Sequence, residues 1–193
     1  MKKRTLYIMA GLALAVTIVN AAAFIYYPLN VELNVQKPPV YFGLGSNGNG
    51  ADLWGNVINV TITDANTSLA VQVHPTYQLN YYKNISVIKN QDPNNAYYIM
   101  FNVTDAIIDT NVTSAELIIT NASSVVLATI DLKQTGLQPA TGWIEIDPNE
   151  TFTVSLEVII TPGTTVTYNT TPTLDDGVAG VRLVYSPQSA ETP

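Results

Sequence analysis

The chain contains no cysteine, only one histidine and few charges: its 193 residues carry eight Lys or Arg and fifteen Asp or Glu. Without cysteine there is no disulfide framework and no thiolate metal site, so stability must come from hydrogen-bonded backbone and packing. An isopeptide bond from Lys83, Lys89 or Lys133 is a crosslink the composition leaves open. The single His74, followed by Pro75, cannot by itself form a histidine-rich metal site and is expected to be structural or exposed. Basic charge is scarcer still once position is considered. Lys2, Lys3 and Arg4 are three of the eight basic residues, so beyond residue 23 five basic residues face fifteen acidic ones, a net charge of −10. That balance excludes a nucleic-acid role and disfavours binding to an anionic membrane surface.

Catalytic patterns are missing as well. No G-x-S-x-G occurs, and no sequence feature singles out a pair of carboxylates. The glycines of Gly43–Asn56 (GLGSNGNGADLWGN) are not followed by Lys-Ser or Lys-Thr, so this stretch is expected to be a solvated linker rather than a phosphate loop. Asp92-Pro93-Asn94-Asn95 and Asp175-Asp176-Gly177 read as turns, and only secondarily as oxygen donors for Ca²⁺. No cofactor is expected, and no catalytic or metal-binding residue is assigned.

The N-terminus has a basic start, an apolar run from Leu6 to Val19 and the small residues Ala21-Ala22-Ala23. This is the pattern of a secretory signal peptide over residues 1–23, cleaved after Ala23, and it implies an exported, extracellular or cell-surface protein. Two rival readings exist: a retained membrane anchor, since Thr5 to Tyr27 is long enough to span a bilayer, and a type IV-like pilin helix cut near Arg4.

What is abundant is period-two alternation. In YYPLNVELNVQKPPVYF, Leu29, Val31, Leu33 and Val35 alternate with Asn30, Glu32, Asn34 and Gln36 before Pro38-Pro39. This is a half-buried strand at the start of the mature chain, and residues 24–42 are assigned to it. After the linker at 43–56, strand follows strand: VINVTIT with Ile58, Val60 and Ile62 on one face, then SLAVQV, YQLNYY, NISVIKN, YYIMFNVT, AELIITN, VVLATIDL, GWIEI, TFTVSLEVII and VAGVRLVY. Phe152, Val154, Leu156 and Val158 share a face. Nothing after residue 27 has sustained helical periodicity, and VTDAIIDT leaves room for no more than a short helical turn. About nine short strands with frequent turn signals predict an all-β fold, an antiparallel β-sandwich of jelly-roll type, over 57–185, with a polar tail at 186–193.

A free amphipathic strand is a hazard unless it fills a groove, in its own fold or in a neighbour's. Filling a neighbour's groove is strand donation, and repeated head to tail it yields an open filament. The order of YYKNISVIKNQDPNNAYYIMFNVTD before WIEIDPNETFTVSLEVIITPGT, after a signal peptide and an early strand, resembles the TasA-like biofilm filament subunits, including the archaeal bundling pilins and thread subunits. The resemblance implies a jelly-roll domain that receives the N-terminal strand of a neighbouring copy, with Leu29, Val31, Leu33 and Val35 as the donated face. It also implies fibres that bundle with neighbouring filaments in adhesion and biofilm formation. N-x-S/T sequons at Asn59, Asn66, Asn84, Asn102, Asn111, Asn121, Asn149 and Asn169 make these asparagines candidates for glycosylation, Asn59, Asn84 and Asn149 first. No membrane contact is expected after signal cleavage. The alternatives are the anchored or type IV-like pilin and a secreted carbohydrate-binding or hydrolytic domain using surface tyrosines.

Overall fold

The computed structural model describes residues 3, 5, 7–9, 37–52, 55–75, 78–162 and 179–189. The chain divides into two compact units, Met1–Gln36 and Lys37–Pro193. Of the first, Lys3, Thr5 and Tyr7–Met9 have helical geometry. Among the described residues no helix is long and apolar enough to cross a membrane. The expected strand residues Leu29, Val31, Leu33 and Val35 lie outside the described residues.

The second unit is all-β. Its eleven strands are β1 (Val40–Leu44), β2 (Asn59–Thr63), β3 (Ser68–Gln72), β4 (Leu79–Asn90), β5 (Tyr97–Asp105), β6 (Val112–Thr120), β7 (Val126–Asp131), β8 (Gly136–Gln138), β9 (Ile144–Ile146), β10 (Thr151–Ile160) and β11 (Ala179–Ser186). They form two antiparallel sheets packed face to face. The first has the order β1-β4-β10-β6-β7. The second has the order β2-β3-β11-β5, with β8 and β9 lying end to end along the outer side of β5. The chain changes sheet at every connection except β2–β3, β6–β7 and β8–β9. Each sheet is therefore assembled from strands distant in sequence.

Alternation decides which face goes inward. In β10, Phe152, Val154, Leu156, Val158 and Ile160 are buried, while Thr151 is exposed on the outer face. Ala115, Leu117 and Ile119 do the same on β6, and Ile99, Phe101 and Val103 on β5. Ile58 and Val60 enter the core, with Ile62 packed against it. Sequence pattern divides Val40–Leu44 between the N-terminal strand and the Gly-rich linker. In the fold it is one edge strand of the first sheet, because Val40 and Phe42 reach the core and both are almost fully buried.

β4 is the longest strand, and it is irregular. Val154 faces Ser86 and Leu156 faces Tyr82, so four steps on β4 oppose two on β10. The two extra residues form a bulge at Asn84, whose φ is 51°. Two is an even number, so Asn80 and Tyr82 still point to the same face as Ser86 and Ile88.

The rings of Phe42 on β1 and Phe101 on β5 meet across the sandwich at 6.4 Å. This contact fastens the edge strand to the opposite sheet. Phe42→Ala is expected to cost about 3–5 kcal/mol, the usual range for emptying an enclosed aromatic site. Urea unfolding of parent and variant measures it, and a loss below about 1 kcal/mol would show that β1 is not fastened through this ring.

Candidate functional site

The feature that sets β4 apart is that it is covered on one side along only part of its length. β1 pairs with it from Val40 opposite Asn90 to Leu44 opposite Ser86. The chain then turns away, with Gly45 N–H on the Ile85 carbonyl (3.1 Å), Asn47 N–H on the Asn84 carbonyl (3.1 Å) and Asn47 Nδ2 on the Lys83 carbonyl (2.8 Å). Past that point, β4 pairs with β10 on one side, and no strand among the described residues pairs with its other side.

Which main-chain groups remain exposed follows from the ladder. Ile160 N–H donates to the Gln78 carbonyl at 2.8 Å. Hydrogen-bonded pairs recur every second residue in an antiparallel ladder, so Val158–Asn80 and Leu156–Tyr82 are the pairs that exchange bonds with β10. The N–H and C=O groups of Leu79 and Tyr81, and the N–H of Lys83, therefore face the uncovered side. Their side chains lie on the outer face of the sheet and are exposed, at 59% for Leu79 and 52% for Tyr81.

Beside this edge lies a cleft of about 610 Å³. Its far wall is the segment from Ser46 to Asp52 together with Ile58, and its near wall is Leu79–Lys83. The wall is held close to β4 by glycine. A Cβ at Gly45 would run into the Asn84 carbonyl, and one at Gly48 into the Ile85 carbonyl. The expected linker is thus a packed shoulder rather than a free loop.

The shoulder is tied at its far end by the only histidine. His74 N–H donates to Asp52 Oδ2 at 3.0 Å, and His74 Nδ1 lies 3.5 Å from the same oxygen. The Asp52 side chain is 3% exposed. Tyr82, which lines the cleft together with Asp52, has its hydroxyl pKa raised well above the usual phenol value, first by burial and then by the Asp52 charge. Neither the His74–Asp52 contact nor the open edge is marked by a local motif. Sequence alternation divides this stretch into YQLNYY and NISVIKN, which the structure joins through the bulge into the single strand β4.

The remaining expected residues are dispersed. Asn59, Asn111 and Asn149 are exposed, on β2, ahead of β6 and in the turn before β10. Asn66 occupies the β2–β3 turn, and its carbonyl takes the Phe42 N–H. Asn102 is half-buried on β5 opposite Arg182 and Leu137. Asn121 uses Oδ1 to accept the Ser123 and Val125 amides. Asn84 is placed differently from Asn59 and Asn149. Its Nδ2, the atom a glycan would occupy, donates to Ser46 Oγ at 2.7 Å, and its Oδ1 is enclosed. Asn169 lies outside the described residues, as do Asp175, Asp176 and Gly177.

The Asp92 turn is saturated internally. Asp92 Oδ1 accepts the Asn94 and Asn95 amides, and Oδ2 accepts Asn95 Nδ2 and the Tyr97 hydroxyl. Among the described residues no group of three or more acidic or histidine side chains gathers to hold a metal ion. Lys133 turns its ammonium to the carbonyls of Asp109 and Val112 and so straps the segment before β6. An apolar cavity between the sheets, lined by Leu69, Val71, Leu117, Leu156 and Val181 among others, holds only about 30 Å³. That is the share of one water, too little for a sugar ring.

In comparisons with known proteins, no family model matches the chain and no curated protein does.

The Asp92 turn produces a pH dependence. The Asn95 side chain, then the Asn94 amide, hold the carboxyl below its ordinary value of 3.8. A carboxyl depressed in the folded state stabilises fully above its unfolded pKa, and that stability fades as pH falls below 3.8 toward the folded value. Asp92→Asn should therefore be less stable than the parent at pH 6 and should lose less stability between pH 5 and pH 2.5. Thermal melts across that range measure the difference, and parallel curves for parent and variant would contradict it.

Proposed function

We propose that this chain is the structural subunit of an extracellular filament of the TasA-like, archaeal bundling-pilin kind, exported and glycosylated, with no catalytic role. Copies polymerise head to tail by giving a β-strand to one another, and the filaments bundle in adhesion and biofilm formation. The observation that carries this reading is the uncovered edge of β4. An exposed stretch of main-chain donors and acceptors beside a cleft is a template for one more strand. The alternating run Leu29, Val31, Leu33, Val35 is a strand of the kind such a template takes. The surplus of acid over base and the Thr- and Asn-rich surface suit a repetitive polymer that must not bind nucleic acid or anionic lipid indiscriminately.

The two gross terms are of similar size, so each anchor matters. Burying four Val or Leu side chains is worth roughly 6–12 kcal/mol gross, and association consumes about 4–15 kcal/mol. Removing one anchor should be felt, and removing two should be severe. Val31→Asp/Leu33→Asp puts two unpaired carboxylates where apolar groups belong, which costs more than deleting the apolar side chains alone. Electron microscopy of the purified double variant should show folded monomers and no filaments. Normal filaments would end the strand-donation reading.

Glycan placement follows from the geometry. The native protein should be heavier than its polypeptide, and Asn59→Gln and Asn149→Gln should each remove one glycan mass. Asn84→Gln should leave the mass of attached sugar unchanged, because its amide is already engaged by Ser46. Intact-mass spectrometry of the three variants checks all of this, and sugar on Asn84 would mean that the shoulder opens in the folded protein.

A further inference from the structure

We infer that Asn47-Gly48, in the shoulder beside β4, is a site of spontaneous covalent modification. Asn47 converts to aspartate and isoaspartate in the folded protein, and the conversion unties the shoulder from β4.

The shoulder contains two asparagine–glycine steps, Asn47-Gly48 and Asn49-Gly50. The chemistry open to them is the same. A glycine has no side chain to shield its main-chain nitrogen. Once that nitrogen gives its proton to a solvent base, it attacks Cγ of the preceding asparagine. A ring imide forms, the bond from Cγ to Nδ2 breaks, and Nδ2 leaves as ammonia. Water then opens the ring. Cleavage at the side-chain carbonyl leaves aspartate. Cleavage at the main-chain carbonyl leaves isoaspartate, with the backbone routed through the side chain. One water is consumed, one ammonia is released, and nothing is oxidised or reduced.

What separates the two sites is how each is held. Both asparagines are exposed, and each following N–H sits in a local turn, Gly48 on the Gly45 carbonyl at 3.2 Å and Gly50 on the Asn47 carbonyl at 3.1 Å. Asn49-Gly50 is also clamped to the segment that enters β2. Asn49 N–H donates to the Ile58 carbonyl at 2.8 Å, Ile58 N–H donates to the Gly50 carbonyl at 3.0 Å, and Val60 N–H donates to Asn49 Oδ1 at 2.8 Å. Ile58 and Val60 belong to the core, so bringing the Gly50 nitrogen onto Asn49 Cγ breaks a clamp that the core holds in place. Asn47 has a lighter restraint. Its Nδ2 donates to the Lys83 carbonyl at an exposed position, and swinging Cγ toward Gly48 costs that bond while leaving Asn47 N–H on the Asn84 carbonyl. Nor can the fold replace the reactive glycine. A Cβ at residue 48 would lie 2.4 Å from the Ile85 carbonyl oxygen.

The products differ as well. A carboxylate has no hydrogen to donate. At residue 47 it sets an acceptor against the Lys83 carbonyl, and the tie to β4 is lost. Isoaspartate there also adds a carbon to the main chain inside the turn that Gly45 and Gly48 close. At residue 49 the side chain is already the acceptor of Val60 N–H, so aspartate keeps that bond and strengthens it with charge.

The native protein is held in mildly alkaline buffer, with a parallel sample in urea, and both are digested and read by mass spectrometry for conversion of amide to acid. In urea the two sites should convert at similar rates. In the folded sample Asn47 should convert several-fold faster than Asn49, with isoaspartate among its products. Equal rates in the folded sample, faster conversion at Asn49, or no conversion at Asn47 would overturn the site. Hydrogen exchange then compares aged with fresh protein. The Gly45 and Asn47 amides should exchange faster after ageing, and the β10–β6 ladder should not change. Asn47→Asp should reproduce the increase and Asn49→Asp should not. The aged native protein gives its reading whether or not Asn47→Asp folds, and unchanged exchange at Gly45 and Asn47 would overturn the untying.

Discussion

Main-chain pairing along β4 is the constraint on which the rest of this molecule depends. Twelve consecutive residues present donors and acceptors on two sides, and every buried one needs a partner. β10 supplies one side, and this ladder carries Tyr82, Ile85 and Ile88 of β4 and Phe152, Val154, Leu156, Val158 and Ile160 of β10 into the core. β1 supplies the second side only over Ser86–Asn90. The bulge at Asn84 marks the junction. It lets Gly45 and Asn47 reach the β4 carbonyls, and there the covering strand ends.

The other strand edges are managed differently. At β1, the Phe42 N–H is taken by the Asn66 carbonyl of the β2–β3 turn, so part of that edge is closed from above. The outer side of β5 is shared by the three-residue strands β8 and β9, which are short enough to offer little template. β7 remains an edge of six residues, whose first residue, Val126, is exposed beside Val125. Against these, the β4 edge is distinguished by having a wall. The shoulder pinned by Gly45, Gly48 and the His74–Asp52 contact turns an edge into a cleft, and a cleft can select a strand by its side chains as well as by its backbone.

Recognition of a strand by such an edge, as proposed above, would need no catalytic constellation: backbone groups would supply most of the directional bonding, and the walls of the cleft would limit what fits. The same economy suits a surface with few charges. Turns such as the one at Asp92 are held by hydrogen bonds to backbone amides and to Asn and Tyr side chains rather than by ion pairs.

Period-two patterning is local, and what depends on it was legible from the residues alone. The inward faces of β2, β5, β6, β10 and β11, the Asp92-Pro93-Asn94-Asn95 turn and the all-β class all follow from which side of a pleat each residue takes. The choice of hydrogen-bond partner is not local. Val40–Leu44 shows no alternation long enough to mark it as a strand between Pro39 and the glycines. It becomes one because the Ser86–Asn90 end of β4 offers it a ladder and the Phe101 ring offers Phe42 a partner. Asn84 reads like any other sequon until Ser46, thirty-eight residues away, takes its amide. Likewise, nothing near Leu79 or Tyr81 says that β1 stops at Ser86. The sequence by itself determined most of the strands and their faces, because side-chain alternation is a property of neighbouring residues. Only the tertiary structure decided which edge is left without a partner strand among the described residues, because that depends on where a strand from a distant part of the chain turns away.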